Sequence, residues 1–471
     1  MPSRAKKTGF TADRISNLPI TLIHHILSFL PAKEMVKTCI FSKNWRNVWF
    51  SAPSLRIDNI KFKYHPTASS VSFEQFVDFL LLTRSGSSIH KFSFHTEPEY
   101  DNSESETEVE AQVVAKVDLS PSKVNVWILY ALRHNVEVIE LKSYMSITHL
   151  LFSCESLREL RLTLNRFDQD FQSSLNLPSS VNLPSLRVLH LNGVFIQAGQ
   201  LDDAFFSAMP CLETLNLVHC NFSQKKLSIV STFMLTTLMM TGSFLVHFEL
   251  SISAPNLKCL KPSRDVYSGS MKTIRFKNNS IQLTNANMEL GVSCSESMIE
   301  LFAVLRNTSS LKLSSWFLKS FTSELQNGPC IEDCIKTPFH NLTHMELGTV
   351  FSDDEALVIN NILYHSPCIE VLRIVMVRNS PAVTVGESSE AEDVWSKFKL
   401  SRLKLVEIDD FQGVVNQIRF VKFLLENELV LEDMIVATPR YGYVNKQQLK
   451  IVGKELLQYP RASPNVVMQF G

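Results

Sequence analysis

Leu157-Arg-Glu-Leu-Arg-Leu-Thr-Leu-Asn165 is the stretch that decides the fold. Leu160, Leu162 and Leu164 alternate with Arg161 and Thr163, the two-residue period of a strand with one buried face. Leu157 leads into the strand, and Asn165 stands at the corner where the chain must turn. One such strand cannot bury its own leucines; it needs copies of itself on either side. The copies are present at Val136/Ile139/Leu141, Leu186/Leu189/Leu191, Leu212/Leu215/Leu217 and Leu235/Leu238/Met240. First anchors at 136, 157, 186, 212 and 235 are 21, 29, 26 and 23 residues apart. A repeat of that length is one coil of a solenoid, and each coil adds a layer to a continuous core.

Further copies lie upstream at Ile89/Phe92/Phe94 and downstream at Leu342/Met345/Leu347, Ile369/Leu372/Ile374, Leu403/Val406/Ile408 and Leu431/Met434/Val436. Cys220 fills the corner of one copy, but Tyr144, Val194, Val350, Val377 and Phe411 fill others, so the repeats are irregular. Residues 262–341 match worst, with only Met271/Ile274/Phe276 and Thr308/Leu311/Leu313. Between strands the sequence predicts helices. Ser352-Asp-Asp-Glu355 is a capping box before Ala356–Tyr364, Asp202-Asp203 precede Ala204–Ala208, and Ser122 precedes Val124–Leu132. Strands over Arg402–Asp409 and Leu431–Ala437 alternate with helices over Val414–Glu426 and Gln447–Gln458.

The 471 residues are 45% hydrophobic and 20% charged, enough to build a sizeable core, and about one in eight is leucine. The 46 basic and 47 acidic side chains give a net charge of −1, which argues against a dedicated nucleic-acid binder. No apolar run is long enough to span a membrane, and no secretory signal follows Met1. The odd number of cysteines, nine, fits free thiols in a reducing compartment, so an intracellular protein is expected. Charge is uneven. Residues 1–57 hold nine Lys or Arg against Asp13 and Glu34, whereas Glu97 to Glu110 holds seven carboxylates and no base. That acidic run and Gly386 to Asp393 read as exposed loops.

The basic head carries its own pattern. Pro19 suits the first turn of a helix in which Leu22, Ile23, Ile26, Leu27, Phe29 and Leu30 form a broad apolar arc. Pro31 stops it. Ala32 to Cys39 predicts a second helix, and Ser42 is an N-cap candidate for a third carrying Trp45, Val48 and Trp49 inward. A core this small needs a partner or a neighbouring domain. Arg14-Ile-Ser-Asn-Leu-Pro19, Ile26-Leu-Ser-Phe-Leu-Pro31 and Ser42-Lys-Asn-Trp-Arg-Asn-Val-Trp49 strongly resemble the F-box. Phe411-Gln-Gly413, Val421-Lys-Phe-Leu-Leu-Glu-Asn427 and Tyr459-Pro-Arg-Ala-Ser463 resemble the FBD module of plant F-box proteins.

The chain as a whole therefore resembles plant F-box/FBD/leucine-rich-repeat proteins. The fold class that this implies is α/β: a three-helix F-box at 10–57, an irregular leucine-rich-repeat solenoid at 58–395 and an FBD module at 396–471. F-boxes bind a Skp-type adaptor that joins them to the cullin of an SCF ubiquitin ligase. The resemblance implies adaptor contacts at Leu18, Pro19, Leu22, Ile23, Ile26, Leu27, Leu30 and Pro31. Ile20-Thr21 and His24-His25 depart from the acidic or polar residues common there, which bears on adaptor choice. The expected role is a non-catalytic receptor that holds a substrate protein on its repeats; a scaffold without a ubiquitination role is the alternative.

Catalytic chemistry is hard to find. Cys39, Cys154, Cys211, Cys220, Cys259 and Cys368 lie in or beside apolar segments and read as inert thiols. Cys330 and Cys334, with His340 and His344, lack the tight spacing of a zinc knuckle, so no metal is expected. Phosphate loops, dinucleotide glycine patterns and nucleophile elbows are missing from the sequence, and no cofactor is expected. Arg4-Ala-Lys-Lys7 is too short for a nuclear signal, so nucleus and cytosol both fit.

Overall fold

The computed structural model describes residues 15, 18–63, 72–85, 88–96, 119–145, 147–164, 177–178, 180–197, 199–230, 234–243, 248–264, 271–277, 281–289, 292, 295–327, 334–335, 337–377, 395, 400–439 and 446–471. Both predicted acidic loops, Glu97 to Glu110 and Gly386 to Asp393, lie outside them. The chain divides into two compact units, Met1–Val194 and Phe195–Gly471.

The first unit opens with helices α1 (Ile20–Ser28) and α2 (Ala32–Lys37) and two short 3-10 turns, Thr38–Ile40 and Val48–Ser51. Strands β1 (Ser54–Asp58), β2 (Lys91–His95), β3 (Val138–Ser143), β4 (Glu159–Leu164) and β5 (Val188–Asn192) follow. Each strand lies parallel to the next. Their register lines up Leu55, Phe92, Ile139, Leu160 and Leu189 in one row, and Ile57, Phe94, Leu141, Leu162 and Leu191 in a second. All ten side chains are at most 2% exposed. Burial of that kind is worth about 1.5–3 kcal/mol per side chain. Gly193 turns the chain after β5 at φ +72°, and a Cβ there would meet the Leu164 carbonyl oxygen at 2.2 Å.

Helices α3 (Asn59–Lys63), α4 (Phe73–Leu82) and α5 (Pro121–Arg133) complete this unit. Ser72 and Gln75 form a reciprocal capping box on α4. Asp78 of α4 accepts from the Trp127 indole of α5 at 2.8 Å. The start of α5 differs from the expected Ser122 cap. Pro121 occupies the first turn because its fixed φ suits it, so the helix begins beside Ser120. The third helix expected from Ser42 is also different. Trp45 N–H bonds the Ser42 carbonyl and Phe50 N–H that of Asn47, both three residues back, in turns tighter than an α-helix. Asn44 and Asn47 favour turns over helix, and the tighter path still buries Trp45 and Trp49 at 2% and 5% exposure. The Ser42 hydroxyl is buried without a hydrogen-bond partner and caps nothing.

In the second unit the main sheet runs through β7 (Thr214–Phe222), with the short β6 (Phe195–Ile196) beside it. Next come β9 (Thr237–Ser243), β11 (Cys259–Arg264), β13 (Asn285–Met288) and β14 (Ser310–Leu313). β15 (His344–Thr349), β16 (Val371–Met376), β17 (Leu405–Asp409), β18 (Asp433–Val436) and β19 (Val467–Phe470) finish it. Every pairing is parallel, and one buried row runs from Leu215 through Leu238, Leu260, Ala286, Leu311, Met345, Leu372, Val406 and Met434 to Met468. A second parallel sheet, ordered β12-β10-β8, is formed by β8 (Lys226–Val230), β10 (Phe248–Ser253) and β12 (Met271–Phe276). Met271/Ile274/Phe276 thus belongs to this second sheet. The main-sheet strands near it are carried by Leu257/Leu260 and Leu283/Ala286/Met288, which are buried.

Helices on the second unit are α6 (Asp203–Ser207), α7 (Ser295–Leu305), α8 (Ser315–Asn327), α9 (Asp353–Tyr364), α10 (Val415–Asn427) and α11 (Lys446–Leu457). Asp202 caps α6 by accepting from Phe205 N–H at 2.8 Å. Ser352 caps α9 by accepting from Glu355 N–H. Glu355 itself is 3% exposed and reaches back to the Thr349 hydroxyl and the amides of Val350 and Phe351 at 2.7, 2.9 and 3.1 Å. Those bonds hold Phe351 at φ +57°. Gln417 does the same for the amides of Gln412 and Gly413 before α10.

Candidate partner-docking face

Helix α1 starts at Pro19, whose carbonyl accepts from Leu22 and Ile23 N–H at 2.9 and 3.1 Å. The helix carries two apolar stripes. The inner one, with Ile23 and Leu27 at 3% and 1% exposure, packs toward β1 and the 48–51 turn. His24 Nε2 lies 3.2 Å from the Ser51 hydroxyl and pins that orientation. The outer stripe, Leu22, Ile26 and Phe29 at spacings of four and three, is 49%, 40% and 66% exposed. Ile15, Ile20, Ile40 and Phe41 in the same module are more than half exposed. Large apolar side chains gathered in so short a segment, uncovered by the chain's own packing, are what a protein-binding surface looks like.

The eight sequence-derived positions therefore separate. Pro19, Leu22 and Ile26 are exposed, Leu18, Leu30 and Pro31 are half-buried, and Ile23 and Leu27 are core. Ile23 and Leu27, buried where the helix packs toward β1 and the 48–51 turn, lie behind the exposed stripe. Ile20, Phe29, Ile40 and Phe41, outside those eight, are also exposed, and of these four the apolar arc of the sequence includes only Phe29. Around the face, Lys33 lies 4.2 Å over the Phe62 ring and donates to the Phe62 carbonyl at 3.0 Å. Burial, then Lys37 nearby, lowers the Lys33 pKa. Lys37 bonds Glu34, whereas Lys43 and Arg46 are exposed.

The solvent side of the strands is polar. In the first unit Arg56, Ser93, Glu140, Arg161 and His190 share one row. Partial burial works to raise the Glu140 pKa, but Lys91 at 2.9 Å, with Arg161 and Arg56, brings it below the usual range. Burial, reinforced by Arg161, lowers that of His190. In the second unit Lys312, Glu346, Arg373 and Glu407 alternate in sign across four strands. Lys312 pairs with Glu289 and Glu346 at 3.2 and 3.1 Å, and Arg373 with Asp409 at 2.7 Å.

Cys220 and Cys334 are buried, and Cys39, Cys154, Cys211, Cys259 and Cys368 are half-buried. Burial raises the Cys259 thiol pKa, away from a reactive thiolate. Cys330 lies outside the described residues, while His344 sits on β15 beside the Thr343 hydroxyl. Among the described residues no cluster of three or more His, Cys, Asp or Glu could hold a metal, and no helix is long and apolar enough to cross a membrane.

Three family models match the chain: the F-box domain over residues 15–56, the LRR repeats of FBD-associated F-box protein At5g56370 over 136–288, and FBD over 399–436. The F-box/FBD/LRR-repeat protein At1g13570 of Arabidopsis thaliana is 25% identical over 98% of this chain and 99% of its own length. F-box/LRR-repeat protein At4g14096 of the same plant is 26% identical over 90% of this chain and 87% of its own. FBD-associated F-box protein At1g66310, also from Arabidopsis thaliana, is 25% identical over 98% and 96%. With matches to an F-box, leucine-rich repeats and an FBD module in that order, the chain is similar along its length to F-box/FBD/LRR-repeat proteins of Arabidopsis thaliana.

Proposed function

We propose that this chain is the substrate-recognition subunit of an SCF-type cullin ubiquitin ligase. The observation that carries the reading is the exposed outer stripe of α1, Leu22, Ile26 and Phe29, within the F-box match. A Skp-type adaptor covers that stripe together with Leu18, Pro19, Ile20, Leu30 and Pro31, and a cullin joins through the adaptor. Ile23 and Leu27 hold the helix in place from behind. The polar strand surface receives a substrate protein. The chain contributes no bond chemistry of its own; it raises the effective concentration of a substrate lysine near a charged conjugating enzyme. Nucleus and cytosol are the compartments proposed for this role.

Affinity purification of the tagged full chain from plant cells tests it. The reading expects a Skp-type adaptor and a cullin to be recovered together, and both to be lost from an Ile26→Asp/Phe29→Asp variant that still folds. A chain that recovers neither is a leucine-rich scaffold, and the ligase assignment is then withdrawn.

A further inference from the structure

The second sheet of the second unit has a solvent face that the ligase role does not use. Leu227, Ile229, Ile252 and Ile274 point into the core, each fully buried. On the opposite side a groove of about 460 Å³ lies along the middle strand, β10. Ser251 and Thr273 lie along it, both small and buried, while Lys226 of β8 and Arg275 and Lys277, on and just after β12, line it from either side. Two carboxylates share the groove: Glu249 and, from helix α7, Glu300. Glu249 is already held by Lys272 at 3.0 Å, and its pKa is lowered by Lys272 first and also by Lys226 and Arg275. Three cations thus converge on one carboxylate, in a chain whose net charge is −1. The main-sheet row Lys312, Glu346, Arg373 and Glu407, by contrast, alternates in sign.

We propose that this groove is a docking site for an acidic segment of a partner protein, lying extended over β10 with carboxylates on Lys226, Arg275 and Lys277. The spacing favours a peptide over a single small anion. Lys226 and Arg275 stand two strands apart and two residues apart in register, which puts their backbones about 12 Å from each other. Along the strands they are offset by two residues, about 7 Å, the interval at which carboxylates at alternate positions of an extended chain recur. The hydroxyl-bearing trough leaves room for the peptide backbone and supplies polar contacts to it. The proposal is independent of the adaptor reading, because neither α1 nor any residue of the F-box takes part.

Fluorescence anisotropy of the full chain with a short labelled peptide of alternating Glu and Gly tests the site. Saturable binding at low salt is expected, with none for the Gln-Gly counterpart. Lys226→Ala/Arg275→Ala/Lys277→Ala should weaken it about tenfold or more. Lys258→Ala/Lys261→Ala/Lys319→Ala, which removes the same charge elsewhere on this unit, should leave binding unchanged. The charge-keeping Lys226→Arg/Arg275→Lys/Lys277→Arg should retain it, which separates loss of the site from loss of the fold. Equal weakening by both alanine triples, absence of saturable binding, or tighter binding of an RNA oligonucleotide of equal charge overturns the proposal.

Discussion

Ile26 and Leu27 are neighbours in sequence and opposites in role, at 40% and 1% exposure. Leu27→Ala leaves a cavity behind α1 and should cost about 2–5 kcal/mol of stability. Ile26→Ala should change stability by no more than about 0.5 kcal/mol. Thermal melts of the two variants check this, and equal destabilisation contradicts the assignment of stripes. The sequence could not make the distinction, because both stripes are apolar at helical spacing; packing toward β1 and the 48–51 turn and the His24–Ser51 contact select the inner one. A second residue-level expectation concerns Glu355, whose pKa is raised by burial against the opposing pull of its hydrogen bonds from Thr349, Val350 and Phe351. The folded chain then binds that proton more tightly than the unfolded one. The stabilisation is full below the unfolded value of about 4.3 and is lost as pH rises through the higher folded value. Glu355→Gln should flatten that fall in a melting-temperature series against pH. Parallel curves for the two proteins contradict it.

At the scale of elements, most strands are written plainly in the sequence. Leu157/Leu160/Leu162 and Leu372/Ile374 are fully buried where the alternation places them. Residues 262–341 are harder to read, since Pro262, Ala286 and Met288 replace leucines at strand anchors. The second sheet occupies connections between main-sheet strands, at Lys226–Val230, Phe248–Ser253 and Met271–Phe276. A run such as Leu227/Ile229 looks like any short apolar segment until its partner strands are known. Charge across strands was likewise invisible, because it depends on register. Lys312, facing Glu289 and Glu346, is the centre of one such cluster. It is more than a third exposed, so Lys312→Ala should cost no more than about 1 kcal/mol. Raised salt should shrink the difference in urea midpoints between variant and parent. A loss of several kcal/mol would falsify the view that the row is a solvated surface.

At the scale of the whole molecule, the head is not an appendage of the first unit. The expected boundary between residues 57 and 58 falls inside β1, which pairs with β2. Helices α1 and α2 pack on β1, Lys33 bonds the Phe62 carbonyl, and Arg84 donates to the Ala52 carbonyl at 2.7 Å. The basic head was legible as a module, but its fusion to the first coil was not, because that fusion rests on contacts such as Lys33 on Phe62. A chain begun at residue 58 loses four of the five residues of β1 and uncovers the edge of β2. It should melt lower than the full chain and self-associate on size exclusion. A monomeric product with an unchanged melting temperature contradicts this fusion.

The outer stripe of α1 is the docking surface proposed for the adaptor. Calorimetric titration of a purified Skp-type adaptor into the full chain tests it most directly, beside a Leu22→Ala/Ile26→Ala/Phe29→Ala variant. Apolar anchors at an interface centre each contribute about 2 kcal/mol or more, so the variant should bind about 100-fold more weakly or worse while unfolding at the same temperature. Unchanged affinity in a variant that melts like the parent contradicts docking through this stripe.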